Sequence, residues 1–144
     1  TEPTASVFSV GASGTTGGNA NPYIAYCFHS VDGYSKIGTY EGNANANGPF
    51  VYTGFKPAVV IAKCVDAVSS WDIVDNKRDP YNGVTQRLFP NNTSADDVSA
   101  GVVVDFLSNG FKVRTTSGNW NNATSDTQLY IAFAETPFKT ANAR

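Results

Sequence analysis

Apolar and polar residues alternate in short runs along this chain, the pattern of strands that bury one face. Tyr34-Ser35-Lys36-Ile37-Gly38-Thr39-Tyr40 alternates, and Phe50-Val51-Tyr52 is a compact trio. Val59-Val60-Ile61-Ala62-Lys63-Cys64-Val65 is rich in β-branched side chains, which suit a pleated surface. Trp71-Asp72-Ile73-Val74, Thr85-Gln86-Arg87-Leu88-Phe89 and Val102-Val103-Val104-Asp105-Phe106 continue the series, divided by Asp79-Pro80, Pro90-Asn91-Asn92 and Asn109-Gly110. Regular short strands with turn signals between them predict an all-β fold, an antiparallel β-sandwich of jelly-roll-like form. Helix is expected to be minimal, at most one turn over residues 94–98 capped by Thr93 or Ser94. Asn109-Gly110 predicts a tight hairpin between residues 102–107 and 111–114, because a type I′ turn needs positive φ at both central positions. Gly54 permits a reversal, Pro57 forbids helix, and Phe55 can plug the sheet edge before the strand that follows. Val59, Ile61, Phe111, Ile131 and Phe133 are the expected core.

The two ends of the chain repeat one another. Phe8 matches Phe111, Val10 matches Val113, and Tyr23-Ile24-Ala25-Tyr26 matches Tyr130-Ile131-Ala132-Phe133. A copy spacing of roughly a hundred residues suits tandem small domains rather than a solenoid. Residues 1–31 therefore read as the closing hairpin of a preceding repeat and residues 32–144 as one complete module. An isolated hairpin is marginal in water, so residues 5–28 are expected to add to a sheet, of this module or of a neighbouring copy.

Composition narrows the function classes. At 144 residues the length suits one main domain, and 41% hydrophobic with 12% aromatic residues supplies a core. Charged residues make up 15%, net charge is −2 and the pI is near 5.2, which argues against a basic surface for nucleic acid. No apolar run reaches the roughly 18 residues of a membrane helix, so no membrane insertion is expected. The chain contains no Met and opens inside what reads as half a unit, so a fragment or processed product is expected.

Candidate chemistry is sparse. His29, the single histidine, has nothing beside it in sequence to orient it as a catalytic base. With Cys27 and Cys64 it makes too few ligands for zinc, so no cofactor and no metal are expected. Cys27 stands where the second copy has Ala134, a small buried position, and a bond to Cys64 is left open. Asp72, Asp75 and Asp79 could serve as paired carboxylates for glycan hydrolysis or bind calcium. The favoured reading is a strand end running into a solvated turn, with Lys77 and Arg78 neutralising the acids. The loop Ser117-Gly118-Asn119-Trp120-Asn121-Asn122-Ala123-Thr124 is the best binding candidate. There Trp120 offers a flat face for a sugar ring, and Asn119, Asn121 and Asn122 offer donors and acceptors for hydroxyls. The alternative is that Trp120 folds over the sheet end as a lid.

Gly38-Thr39-Tyr40-Glu41-Gly42-Asn43, the run from Gly48 through Thr53-Gly54-Phe55-Lys56-Pro57 to Lys63, Asp105-Phe106-Leu107-Ser108-Asn109-Gly110-Phe111-Lys112-Val113-Arg114 and Tyr130 to Lys139, closing on Asn142-Ala143-Arg144, carry a resemblance. Over almost its whole length the chain resembles a tandem repeat domain of unknown function in tail-associated proteins of marine tailed bacteriophages. That resemblance implies an extracellular virion protein at the host-facing end of the particle, and it supplies no catalytic residues. The expectation is a non-enzymatic tail-fibre or adhesin module. Its partners would be a bacterial surface glycan or receptor and copies of itself, as a homo-oligomer such as a trimer. A structural spacer without ligand and a polysaccharide depolymerase fragment are the alternatives.

Overall fold

The computed structural model describes residues 4, 6–18, 21–116, 119–121 and 123–137. It is an all-β antiparallel sandwich, with no helix among the described residues. The strands are β1 (Ser35–Asn43), β2 (Phe50–Tyr52), β3 (Pro57–Cys64), β4 (Asp72–Asp75), β5 (Val104–Leu107), β6 (Gly110–Val113) and β7 (Thr124–Ala134). One sheet has the order β1-β7-β3-β4 and the other β2-β6-β5. Residues 94–98 form no helical turn. Residues 85–89 are only partly strand-like. Leu88 exchanges two backbone hydrogen bonds with Ile73 and Arg87 exchanges two with Asp97, which continues the edge of β4 without a full ladder.

The core lies between the facing sides of the two sheets. Val60, Ala62, Val74, Tyr130, Ala132 and Ala134 come from the larger sheet, and Val51, Val104, Phe106, Phe111 and Val113 from the smaller. Phe111 is fully buried as expected, but Val59, Ile61, Ile131 and Phe133 stand half-buried on the outward face of the larger sheet. The alternation of β7 is as read from the sequence; the inward set is Gln128, Tyr130, Ala132 and Ala134. Aromatic rings explain the inversion. Tyr40, Phe111, Trp120 and Tyr130 fill the interior in edge contacts, with Phe111 at 5.5 Å from Tyr130 and 6.0 Å from Tyr40 between ring centres. Val60, Ala62, Val74, Ala132 and Ala134 fill the remaining space beside them, as close packing requires. Phe55 reaches the core from the turn before β3, where Gly54 has a φ of 86°, so that turn does what its residue types predict.

The expected β5–β6 hairpin forms, one residue out of the expected frame. Gly110 already pairs with Leu107, the turn residues are Ser108 and Asn109, and neither Asn109 nor Gly110 takes a positive φ. Gly110 is required for another reason: a Cβ there would collide with the Val51 carbonyl and the Phe50 ring across β2. Gly110→Ala is therefore expected to force β2 away from β6 and lower stability by about 1–3 kcal/mol. Chemical denaturation measures this, and an unchanged midpoint would mean that β2 moves freely.

The duplicated segments are not a hairpin. Their second copies are β6 and β7, which lie in opposite sheets with Phe111 facing Tyr130 across the core. The first copy has no strand among its described residues and adds to neither sheet of its own chain. Val7, Phe8, Val10, Tyr23, Ile24, Tyr26 and Phe28 are all exposed there. The segment joins the sandwich at its end. Val31 and Ser35 exchange backbone hydrogen bonds, and the Ser30 hydroxyl accepts from the Ile37 amide at 3.0 Å. The Phe28 ring meets Phe133 edge-on at 6.1 Å.

Candidate functional site

The loop singled out in the sequence is built into the interior. Trp120 is 0% exposed, its indole Nε1 donating to Asp72 Oδ2 at 2.8 Å and its ring standing edge-on to Phe111. Asn119 Nδ2 donates to the other Asp72 oxygen at 2.7 Å, and Arg87 Nη1 donates to Oδ2 at 3.2 Å. The Tyr40 hydroxyl donates to the Trp120 carbonyl at 3.0 Å. The indole thus closes one end of the sandwich as a lid and offers no face to a sugar ring.

Asn121 is equally committed. Its Oδ1 accepts from the backbone amides of Asn43 at 2.6 Å and Ala44 at 3.2 Å. Its Nδ2 donates to Asn43 Oδ1, the Asn45 carbonyl and the Thr115 carbonyl at 2.7 to 3.0 Å. Gly42 and Gly48 let the chain close around it, since a Cβ on either would press on Asn121 and on a neighbouring carbonyl. Asn122 lies outside the described residues. The structure therefore brings Asn119, Trp120 and Asn121 together as the fastener between β1, β4 and the β6–β7 loop.

Asp72 is what the sequence reading missed as a partner of this loop. Its signal is positional: on β4 it shares a face with Val74, the inward one, where a carboxylate needs donors to be tolerated. Burial pushes its pKa up, opposed by hydrogen bonds from Asn119 and Trp120 and by the charge of Arg87. Arg87 also pairs with Asp97 and lies over the Phe89 ring. Because the folded pKa is raised, this group contributes most stability below the ordinary carboxylate pKa, and that contribution is lost as pH rises through the folded value. The wild type is therefore expected to gain stability relative to Asp72→Asn as pH falls from neutrality to about 4. A gap that narrows on acidification in thermal melts would contradict this.

The other acids do not converge with it. Asp75 points to the opposite face of β4. Burial works against its charge, but the Arg78 amide and guanidinium and the Lys77 amide outweigh that and hold its pKa down. Asp79 is held down in the same way by the Gln86 and Thr85 amides, which it accepts at 2.7 and 2.6 Å. The favoured reading, a strand end running into a solvated turn with Lys77 and Arg78 neutralising the acids, describes Asp75, which pairs with Arg78. Lys77 contributes its backbone amide, Asp79 accepts backbone amides, and Asp72 departs from that reading, being buried and paired with Arg87. Cys27 is an exposed free thiol and Cys64 a buried one, and His29 lies on the surface with Nδ1 at 3.0 Å from the Ser30 carbonyl oxygen. Among the described residues no group of three or more His, Cys, Asp or Glu side chains is placed to hold a metal.

One surface depression is polar. A groove of 590 Å³ runs between the turn at residues 30–36 and the β2–β3 turn, with Asp32, Lys36, Tyr52 and Lys56 on its walls. Lys56 pairs with Glu135 at 2.8 Å, and Tyr52 is 64% exposed.

These features define an all-β sandwich module in which Asp72, Arg87, Asn119, Trp120 and Asn121 close one end of the core. The chain belongs to the family described as a domain of unknown function, DUF7483, which it matches over residues 1–137. The match runs through the N-terminal segment as well as the sandwich. No curated protein and no solved structure matches it.

Proposed function

We propose that this chain is a non-enzymatic assembly module of a host-facing virion fibre, binding copies of itself through its N-terminal segment. The observation that carries the reading is that residues 7–28 repeat the sequences of β6 and β7 yet expose their apolar side chains. Contiguous exposed apolar surface of this kind marks an interaction site. The resemblance to phage tail-associated proteins supports the setting, an extracellular virion with tandem units. Deleting residues through Phe28 should leave a folded sandwich that stays monomeric in light scattering, whereas the intact chain grows in mass with concentration. Equal mass for both at every concentration would defeat the reading.

A second reading, recognition of a bacterial surface glycan, is favoured by the polar groove beside Tyr52. An exposed tyrosine ring that shares a groove with Lys36 and Asp32 combines a stacking face with groups for sugar hydroxyls. Tyr52→Ala should then weaken binding to host cells about tenfold, with stability changed by less than about 0.5 kcal/mol. Cell binding equal to wild type would remove this reading.

A further inference from the structure

The strand register places four isoleucines in one row across the outward face of the larger sheet. Ile37 pairs with Ile131, Ile131 with Ile61, and Ile61 with Ile73. On one side of this row Phe133 and Val59 stand between Ser35 and Asp75, and on the other Leu129 stands between Thr39 and Lys63, so the apolar strip of this face is the isoleucine row, widened by Phe133, Val59 and Leu129. A sheet with one solvated face normally alternates apolar inward with polar outward. Here the middle of the outward face is apolar as well, although the core lies on the other side. The outward face is a second surface of the kind that packs against another layer.

The N-terminal segment carries the matching strip. Ile24, Tyr26 and Phe28 are spaced by two residues and line one side of the chain when it is extended. Phe28 shows which surface this strip suits, because it already sits against Phe133 on the outward face. Its neighbours in the strip remain free, Tyr26 at 80% and Ile24 at 81% exposed, so the chain leaves its own sheet at Phe28. Ile24 and Tyr26 are also the positions that match Ile131 and Phe133 of the outward face itself.

Resting on the assembly reading and making it specific, we propose that the outward isoleucine face of one copy receives the Ile24–Tyr26 strip of a second copy. Each chain then holds one donor strip and one acceptor face. A contact between two different surfaces of identical chains is head-to-tail, and it closes into a ring or runs on as a filament. Apolar area buried this way drives association without any directional polar contact.

Mixing two defective variants of the full chain tests this. Ile24→Lys with Tyr26→Lys disables the donor at exposed positions, where folding is not at stake. Ile61→Lys disables the acceptor, and Thr39→Lys, at an exposed position on the same face, is a second acceptor variant that does not touch the interior. Each variant alone should remain at the chain mass of 15.3 kDa in light scattering, and a donor-defective chain mixed with an acceptor-defective one should give twice that mass and nothing larger. If both acceptor variants associate like the wild type while the donor variant does not, the isoleucine face is the wrong surface and the assembly reading stands. If the donor variant associates like the wild type, both fall. A mixture that stays monomeric overturns the head-to-tail contact.

Discussion

Trp120→Ala is expected to lower the unfolding free energy by about 3–5 kcal/mol, the range for losing a large buried aromatic side chain. Two losses combine. The indole's packing against Phe111 leaves a cavity at the end of the sandwich, and Asp72 Oδ2 loses the donor at 2.8 Å. Trp120→Phe separates them, since it restores much of the volume and none of the hydrogen bond, so its effect should be intermediate. Urea denaturation measures both. A Trp120→Ala chain with an unchanged midpoint and weakened host binding would restore the role for Trp120 as an exposed sugar platform.

Asp72→Ala should be comparably severe, about 3–5 kcal/mol, because it removes one member of a buried ion pair that also accepts from two further side-chain donors. Arg87 would keep Asp97 but lose its inward partner, and Asn119 and Trp120 would lose their acceptor. Asp72→Asn, which keeps an acceptor of the same shape, should be milder. The double variant with Trp120→Ala should fall short of the sum of the single effects by 1 kcal/mol or more, because side chains sharing one hydrogen-bond network couple. Additive effects in that cycle would mean that the indole and the carboxylate act independently.

Much of the architecture was legible from alternation and breakers. The antiparallel sandwich, the β3 run and the reversal at Gly54 follow from residue types whose backbone preferences are local, whereas the β5–β6 hairpin forms where its breaker lies but turns one residue earlier and without the positive φ expected of Asn109-Gly110. What alternation could not decide is which side of a two-sided apolar strand faces inward. In β7 the bulky set Ile131 and Phe133 lost to Ala132 and Ala134, because rings from three other elements occupy the space opposite. The same non-local packing hid the site. Trp120 and Asp72 are far apart in sequence, and only the sandwich brings them to 2.8 Å. The duplicated ends were visible at once, but the pairing of their strands was not. Adjacency in sequence suggested a hairpin, whereas β6 and β7 belong to different layers.

The role of the N-terminal segment is tested most directly by amide hydrogen exchange at residues 23–28 of the intact chain, followed from dilute to concentrated solution. Those amides have no strand partner among the described residues, so they should exchange rapidly when the chain is dilute. They should become protected as copies associate, in step with the mass seen by light scattering. Protection that is already present at the lowest concentration, or rapid exchange that persists at the highest, would contradict the segment's role as an assembly element.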